Sequence, residues 1–189
     1  MSALRCDMTN PKKSFYPDHI QHIPMTPVIA NDSTFSLDSR VWVYTSNRPL
    51  SASESKFAQS NLDAFCQQWT AHNQALLARA EVFENQFIIL MVDETQAGAS
   101  GCSIDKSVHF LEQLGAEINA DFFERMRFAW IDEQGKMQFA SRPEFVAFAR
   151  EGKIGSETLV ADTLVQTKRQ LTEKWLVPFG ESWHKRLAS

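Results

Sequence analysis

The residues best suited to chemistry are concentrated in one segment of the chain, 93–109. A strongly apolar run leads into this segment, which continues as a loop of small residues and opens a helix at about Ser103. Free backbone N–H groups at a helix start carry partial positive charge and attract anions, and glycines let a ligand approach the backbone closely. The sequence therefore predicts a site for a phosphate or a carboxylate, with these binding residues: Gly98, Ser100, Gly101, Ser103 and Lys106.

The same segment carries the residues of a thiol site. At 100° per residue, Cys102 and His109 project from the side of the helix opposite its apolar stripe. A cysteine near a helix start and a cation can have a lowered pKa and act as a nucleophile. Cys102 is therefore the candidate catalytic residue, with His109 as its base and Asp93 or Asp105 orienting the ring. The alternative is an ordinary solvated helix face, with Ser103 as the N-cap.

Two residues outside the segment are further candidates for the site. Arg48 follows the first strand, where its guanidinium could bind an anion or pair with a surface acid. His72 lies at the end of the first helix, where it either complements the negative end of the helix dipole or enters the same site as Cys102. No CxxC pair is present, and the sequence predicts neither a metal nor a cofactor.

Composition argues against several classes of protein. The chain has 189 residues, of which 43% are hydrophobic, and a formal net charge of -4, which argues against a general nucleic-acid binder. The three cysteines are odd in number and widely spaced, which argues against a disulfide framework. The N-terminal residues lack the apolar core of a signal peptide. The longest apolar run, 87–92, is far shorter than the roughly 20 residues that span a bilayer. These features predict a cytoplasmic protein without a membrane partner.

Hydrophobic patterning predicts the elements that must position the site. Capping boxes at 51–54 and 141–144 each start a helix, and the apolar run 87–92 is typical of a central strand buried on both faces. The order of elements over 41–132 is then β-α-β-β-α-β, which predicts an α+β fold with a ferredoxin-like core. We expect one mostly antiparallel sheet with both helices on one face, an extra hairpin strand at 137–140 and C-terminal helices.

Three parts of the chain differ in character. Residues 1–38 contain four of the seven prolines and no sustained periodicity, which predicts a partly disordered N-terminal arm. Residues 39–152 form the predicted α+β domain. Residues 153–189 form a predicted helical extension packed on that domain, with one long helix that starts at Ser156 and is interrupted at Pro178. The aromatic residues of this extension either pack on the domain or form a surface for a homodimer or another partner.

Three stretches together resemble a known family. They are RVWVYTSNRP at 40–49, QWTAH at 68–72, and FIILMVDE followed by SGCSIDKSVH within 87–109. Over about residues 38–150 the chain resembles a family of uncharacterised Bacteroidetes proteins whose members are often labelled "ABC transporter ATPase", and this implies a bacterial protein. The chain contains no Walker A motif and no LSGGQ-type signature, so the resemblance implies no catalytic residue.

Three functions are open on these residues. The first is a small cytosolic ligand-binding or regulatory protein that holds an anionic small molecule at 93–109. The second is a small thiol-dependent enzyme that uses Cys102 with a histidine. The third is an adaptor that uses its aromatic C-terminal part. The backbone character of the loop favours the first function.

Overall fold

The computed structural model describes residues 25–95 and 98–188. Its α-helices are α1 (Ala52–Gln68), α2 (Gly101–Ile118), α3 (Arg142–Arg150) and α4 (Lys168–Lys174). Its strands are β1 (Arg40–Thr45), β2 (Thr70–Ala71), β3 (Gln74–Ala75), β4 (Leu77–Phe83), β5 (Phe87–Asp93), β6 (Arg127–Ile131), β7 (Met137–Ser141), β8 (Leu159–Ala161) and β9 (Leu176–Pro178). Among the described residues, no helix combines the length and the apolar character needed to cross a bilayer.

The chain folds into two antiparallel sheets that pack face to face. The first sheet has the strand order β1-β5-β4 and the second has the order β7-β6-β8-β9, while β2 and β3 form a separate small hairpin. Helices α1 and α2 cover the outer face of the first sheet. Helix α3 and the residues after β9 cover the outer face of the second sheet. The layers are therefore helix, sheet, sheet, helix.

Strand β5 lies at the centre of this arrangement, and all seven of its residues are buried. Phe87, Ile89 and Met91 contact the second sheet, whereas the residues between them contact the two helices. Leu62 of α1 and Leu111 of α2 are fully buried in one cluster. The predictions of a doubly buried central strand and of two helices on one face are both confirmed.

The prediction of a single sheet is wrong. Strand β6 pairs with β7 along its whole length, and at Trp130 it pairs with Val160 of β8. A ferredoxin-like arrangement would place β6 at the outer edge of β1, which in the described residues meets single bridges at Arg40 and Thr45. A two-layer domain of that type would leave one apolar face of β5 exposed to water. In this structure the second sheet covers that face. The mixed α/β class and the antiparallel pairing are confirmed, and the ferredoxin-like topology is not.

The C-terminal part is an integral part of the second sheet. Strands β8 and β9 supply two of its four strands, and α4 between them has only 7 residues. The predicted long helix from Ser156 is therefore wrong. The three residues of β8 are all buried, as suits a short strand between two covering layers. In the sequence, the same apolar residues are compatible with one face of a helix, which explains the wrong prediction. Residues 153–188 therefore supply part of the second sheet instead of packing on the domain as a helical extension.

Residues 25–38 also belong to the core. Met25, Ile29 and Phe35 are buried in the cluster that joins the two sheets. The ammonium group of Lys168, at the start of α4, donates hydrogen bonds to the carbonyl oxygens of Asp32 and Phe35. The hydrophobic core therefore extends across the predicted domain boundary at residue 38. Residues 1–24, the rest of the predicted arm, lie outside the described residues.

Replacing Lys168 tests this junction. The substitution Lys168→Met keeps the aliphatic stem but leaves the carbonyl oxygens of Asp32 and Phe35 without their donor. A buried polar group that loses its partner costs about 1–3 kcal/mol, so we expect the free energy of unfolding in urea to fall by about 2 kcal/mol. Lys174→Met, at an exposed position in the last turn of the same helix, is the control and should change little. Equal effects of the two substitutions would contradict the assignment.

A buried histidine lies on the outer side of the second sheet. The ring of His184 stacks on Trp183 with 3.8 Å between ring centroids and meets the ring of Phe128 edge-on at 5.5 Å. Its Nδ1 atom is buried without a hydrogen-bond partner in the described residues. Burial lowers the pKa of His184 to about 4, and the carboxylate of Asp162 opposes this shift only in part. The aromatic surroundings therefore hold the ring in its neutral form.

The stability of the protein should depend on pH through His184. The unfolded chain binds the imidazole proton at about pH 6.5, whereas the folded protein resists it down to about pH 4. The stabilisation is therefore fully present above pH 6.5 and is lost as the pH falls towards 4. The expected loss between pH 7 and pH 5 is roughly 2 kcal/mol, at 1.36 kcal/mol per pH unit.

Urea unfolding at these two pH values measures the effect. His184→Phe should reduce the difference in unfolding free energy between pH 7 and pH 5, because the titrating group is gone. His109→Ala, which changes an exposed histidine, should keep the difference seen in the parent protein. An unchanged pH dependence in His184→Phe would show that the buried ring is not responsible.

Candidate functional site

The start of α2 is closed by its own side chains. Ser100 is the N-cap, and its hydroxyl accepts a hydrogen bond from the backbone N–H of Ser103 at 3.3 Å. The hydroxyl of Ser103 donates to the carbonyl oxygen of Ser100 at 2.8 Å, and the carbonyl of Ser103 accepts from the indole N–H of Trp69 at 2.8 Å. Ser103 is buried, so it supports the helix start and does not present its hydroxyl to a ligand. The N-cap of α2 is a serine, as predicted, but it is Ser100 and not Ser103.

The loop before α2 is open above its glycines. A Cβ atom added to Gly98 or to Gly101 would meet no described atom within 4 Å. Both residues are exposed, so a ligand has room there, although no close approach in the fold requires glycine at either position. Neighbouring residues 96 and 97 lie outside the described ranges.

Asp93 holds the N-terminal segment and not the His109 ring. Its carboxylate accepts hydrogen bonds from the backbone N–H groups of Ser36 and Thr95, each at 2.9 Å. The hydrogen bond from Ser36 is the main cause that keeps the pKa of Asp93 below its usual range. This carboxylate therefore joins the end of β5 to residues 25–39. The predicted role of orienting a catalytic imidazole does not fit these contacts.

Arg48 is a structural residue at the other end of α2. Its guanidinium donates to both carboxylate oxygens of Glu54, at 3.1 and 2.7 Å, and to the carbonyl oxygens of Ile118, Asn119 and Pro49. The hydrogen bond from Arg48 is the main reason that the pKa of Glu54 is lowered to about 2. Arg48 thus joins the C-terminus of α2 to the N-terminus of α1. That is about 27 Å from the loop, the length of an 18-residue helix. The predicted alternative of an ion pair with an acid is therefore confirmed, and the contacts of Arg48 do not support a role in the loop site.

A cleft lies between the second half of α1 and the middle of α2, and we call it the helix cleft. Its volume is about 450 Å³. Its floor is aromatic, because the rings of Phe65 and Phe110 stack with centroids 4.4 Å apart and Trp69 lies 5.0 Å from Phe65. Polar side chains form its rim. The lining residues are Asn61, Ala64, Phe65, Gln68, Trp69, Thr70, Lys106, His109, Phe110 and Gln113.

The structure brings two of the predicted site residues together in the helix cleft. Lys106 and His109 both line it. Cys102 is exposed and lies one turn before Lys106 on the same side of α2. His72 is exposed in the turn between β2 and β3, with a φ of 49°, and it is not among the residues that line the cleft.

No hydrogen bond joins Cys102 to His109 in the described residues. Seven residues separate them on one helix, which corresponds to about 10 Å along the axis. The His109 ring is engaged along its own helix, with Nδ1 at 3.6 Å from a carboxylate oxygen of Glu112 and Nε2 at 3.0 Å from the side-chain amide nitrogen of Gln113. The exposed thiol of Cys102 therefore lies one helical turn before Lys106. In the described residues, no side-chain base contacts it.

Sequence reasoning missed the part of the site that α1 supplies. Asn61, Phe65 and Gln68 recur at helical spacing on one side of α1, and the apolar pattern of this helix predicts that Phe65 faces the core. Phe110 lies outside the apolar stripe predicted for α2. An aromatic residue at the border of a polar helix face was the signal available, because such a residue needs a neighbouring surface to cover it.

Comparison of the chain with models of protein families, with curated proteins and with solved structures gives no match. The geometry of the chain's own residues is therefore the basis for the candidate functional site.

Thiol labelling separates the two described cysteines. Cys66 is buried in α1, and burial raises the pKa of its thiol to about 12. We expect iodoacetamide to alkylate Cys102 in the native protein, while Cys66 reacts only after unfolding. Because His109 lies two turns away, His109→Ala should leave the rate at Cys102 unchanged. Mass spectrometry of the labelled peptides gives both rates. A slower reaction of Cys102 in His109→Ala would instead support a thiol–imidazole pair.

Proposed function

We propose that this protein binds an anionic small molecule with a planar apolar part in the helix cleft and acts as a ligand-binding or regulatory protein. The observation that carries the proposal is the position of Lys106 and His109 on the rim of a cleft with a floor of stacked Phe65 and Phe110. The apolar part of a ligand would cover the aromatic edges. Its anionic group would meet the lysine ammonium and the imidazole.

The charge of the lining supports an anion. Lys106 supplies an ammonium group and His109 an imidazole, whereas no aspartate or glutamate is among the described residues that line the helix cleft. A cleft lined by one sign of charge between low-dielectric walls raises the local concentration of the opposite ion. An acid outside this lining, Glu112, lies beside the His109 ring, with a carboxylate oxygen 3.6 Å from its Nδ1. The lining as a whole therefore favours a carboxylate or a phosphate over a cation.

The remaining rim residues suit recognition of a specific small molecule. The side-chain amides of Asn61, Gln68 and Gln113 can each donate and accept hydrogen bonds. A volume of about 450 Å³ lies within the roughly 300–1,000 Å³ of small-molecule sites. An apolar floor with a few convergent polar groups is the usual composition of such sites. The anion site proposed here therefore lies about one to two helical turns further along α2 than the helix start that the sequence indicates.

The two alternative functions have different support. A thiol-dependent enzyme is favoured by one observation, the exposed Cys102 in line with Lys106. An adaptor that binds through its aromatic C-terminal part has less support, because Trp175 and Phe179 are buried in the core. A homodimer through α4 stays a prediction. The unpaired thiols of Cys66 and Cys102 support the proposed cytoplasmic location.

Lys106→Gln tests the proposed function. 1-Naphthoate should raise the thermal midpoint of the parent protein in a concentration-dependent way, while the neutral 1-naphthamide should raise it much less, because the rim is cationic. Removing one ion pair at an exposed or half-buried site costs about 1 kcal/mol, so Lys106→Gln should weaken binding of naphthoate about fivefold. Isothermal titration calorimetry gives the dissociation constants.

Two controls make this test specific. Lys56→Gln removes an exposed charge from the first half of α1, outside the residues that line the helix cleft, and should leave affinity unchanged. Phe110→Leu should weaken the acid and the amide alike, because it changes the floor and not the charge. Equal binding of 1-naphthoate and 1-naphthamide, or an unaltered affinity in Lys106→Gln, would overturn the proposal.

A further inference from the structure

A second cleft lies on the opposite side of the molecule, and we call it the hairpin cleft. It is bounded by the β6–β7 turn, the C-terminal end of α3 and the loop 152–158, and its volume is about 770 Å³. None of its lining residues belongs to the helix cleft. The proposed function does not involve the hairpin cleft.

The floor of the hairpin cleft is aromatic, and one of its rings already contacts a cation. The ring centroids of Trp130 and Phe148 are 5.5 Å apart, with 56° between the ring planes. The ammonium nitrogen of Lys153 lies 4.9 Å from the centroid of the Phe148 ring. Aromatic faces attract cations through the quadrupole of the ring. The chain itself therefore shows that this ring is accessible to an ammonium group.

Carboxylates outnumber cations around this floor. Asp132, Glu133 and Glu157 line the hairpin cleft, and Lys153 is the one lysine or arginine among the described residues of the lining. Lys153 is also partly neutralised, because its ammonium is 2.9 Å from a carboxylate oxygen of Glu151. The C-terminal end of α3 points its negative dipole end to the same region. The charge is thus opposite in sign to that of the helix cleft.

We propose that the hairpin cleft binds an organic cation, the alkylammonium group of a small molecule. The ammonium lies against the faces of Phe148 and Trp130, where Lys153 now contributes its own ammonium group. Glu133 and Glu157 supply the opposite charge at the rim. This site is independent of the anion bound in the helix cleft, so either proposal can fail without the other.

Choline and its neutral carbon isostere 3,3-dimethylbutan-1-ol are the probes for this site. The two have nearly the same shape and differ in charge, so a cation site should bind choline and not the alcohol. In titrations at low ionic strength, followed by NMR, choline should shift the indole N–H signal of Trp130, which Trp130→Phe identifies. We expect a saturable shift with choline and no saturable shift with the alcohol.

Variants then test each part of the site. Phe148→Leu should weaken choline about two- to fivefold, and the double variant Glu133→Gln/Glu157→Gln should weaken it at least as much without touching the core. Lys153→Met should strengthen binding, because it removes the competing ammonium. Glu173→Gln, which changes an exposed acid on α4, and Lys106→Gln in the helix cleft should both leave choline affinity unchanged.

Three results would overturn this proposal. The first is equal binding of choline and the neutral alcohol, which would mark the cleft as merely apolar. The second is an unchanged choline affinity in both Phe148→Leu and the glutamate double variant. The third is a loss of affinity in Lys153→Met, which would show that the lysine holds the ligand and does not compete with it.

Discussion

The burial of β5 on both faces is the constraint on which the rest of the structure depends. Seven consecutive buried residues, six of them apolar, need an apolar layer on each side, because each large apolar side chain left in water would cost about 1.5–3 kcal/mol. Helices α1 and α2 supply one layer and the second sheet supplies the other. Polar contacts then join the elements around β5 at three places: Arg48 joins α2 to α1, Asp93 joins the end of β5 to residues 25–39, and Lys168 joins α4 to the same segment.

Each proposed site is a by-product of how an outer layer covers its sheet. Two helices that lie side by side leave a cleft between them wherever their side chains diverge, and the Phe65–Phe110 stack floors that cleft. A short helix that covers only part of a sheet leaves the far end of the sheet open, and Trp130 lies under that opening. The first cleft carries positive charge at its rim and the second carries negative charge. The described linings of the two clefts therefore differ in the sign of their charge, which suits two ligands of opposite charge.

Local signals in the sequence predicted the parts of the fold that depend on local interactions. The capping box at Ser51 and Glu54 gives the start of α1, and the apolar run 87–92 gives β5. The β6–β7 hairpin follows from its turn, where Gly135 adopts a φ of 74°. The partner of β6 was not predictable in the same way, because sheet membership depends on contacts between residues far apart in the chain. The doubly buried β5 did imply a further covering layer, although not that this layer is a sheet.

The candidate site shows the same division between local and distant information. The polar face of α2 could be read from spacing, and it gave Lys106 and His109. The partners on α1 could not, since nothing local shows that Phe65 meets Phe110. Arg48 was left open between two roles, because an arginine in a turn has the same sequence appearance whether it binds a ligand or two helix termini. The distinction lies in the carbonyl groups about 70 residues away that accept its hydrogen bonds.

The contacts between α4 and residues 25–38 have a consequence for synthesis on the ribosome. Lys168 bonds to residues 136 and 133 positions earlier in the chain, and the indole of Trp175 donates to the carbonyl of Met25, 150 positions earlier. The first sheet and its two helices are complete as soon as residue 118 has emerged, yet the inner side of β5 then lacks the second sheet. Until β6 to β9 follow, Phe87, Ile89 and Met91 are covered only in part, by residues such as Met25 and Ile29. Holding chaperones would therefore be expected to act on this protein during that interval, between the emergence of α2 and that of β9.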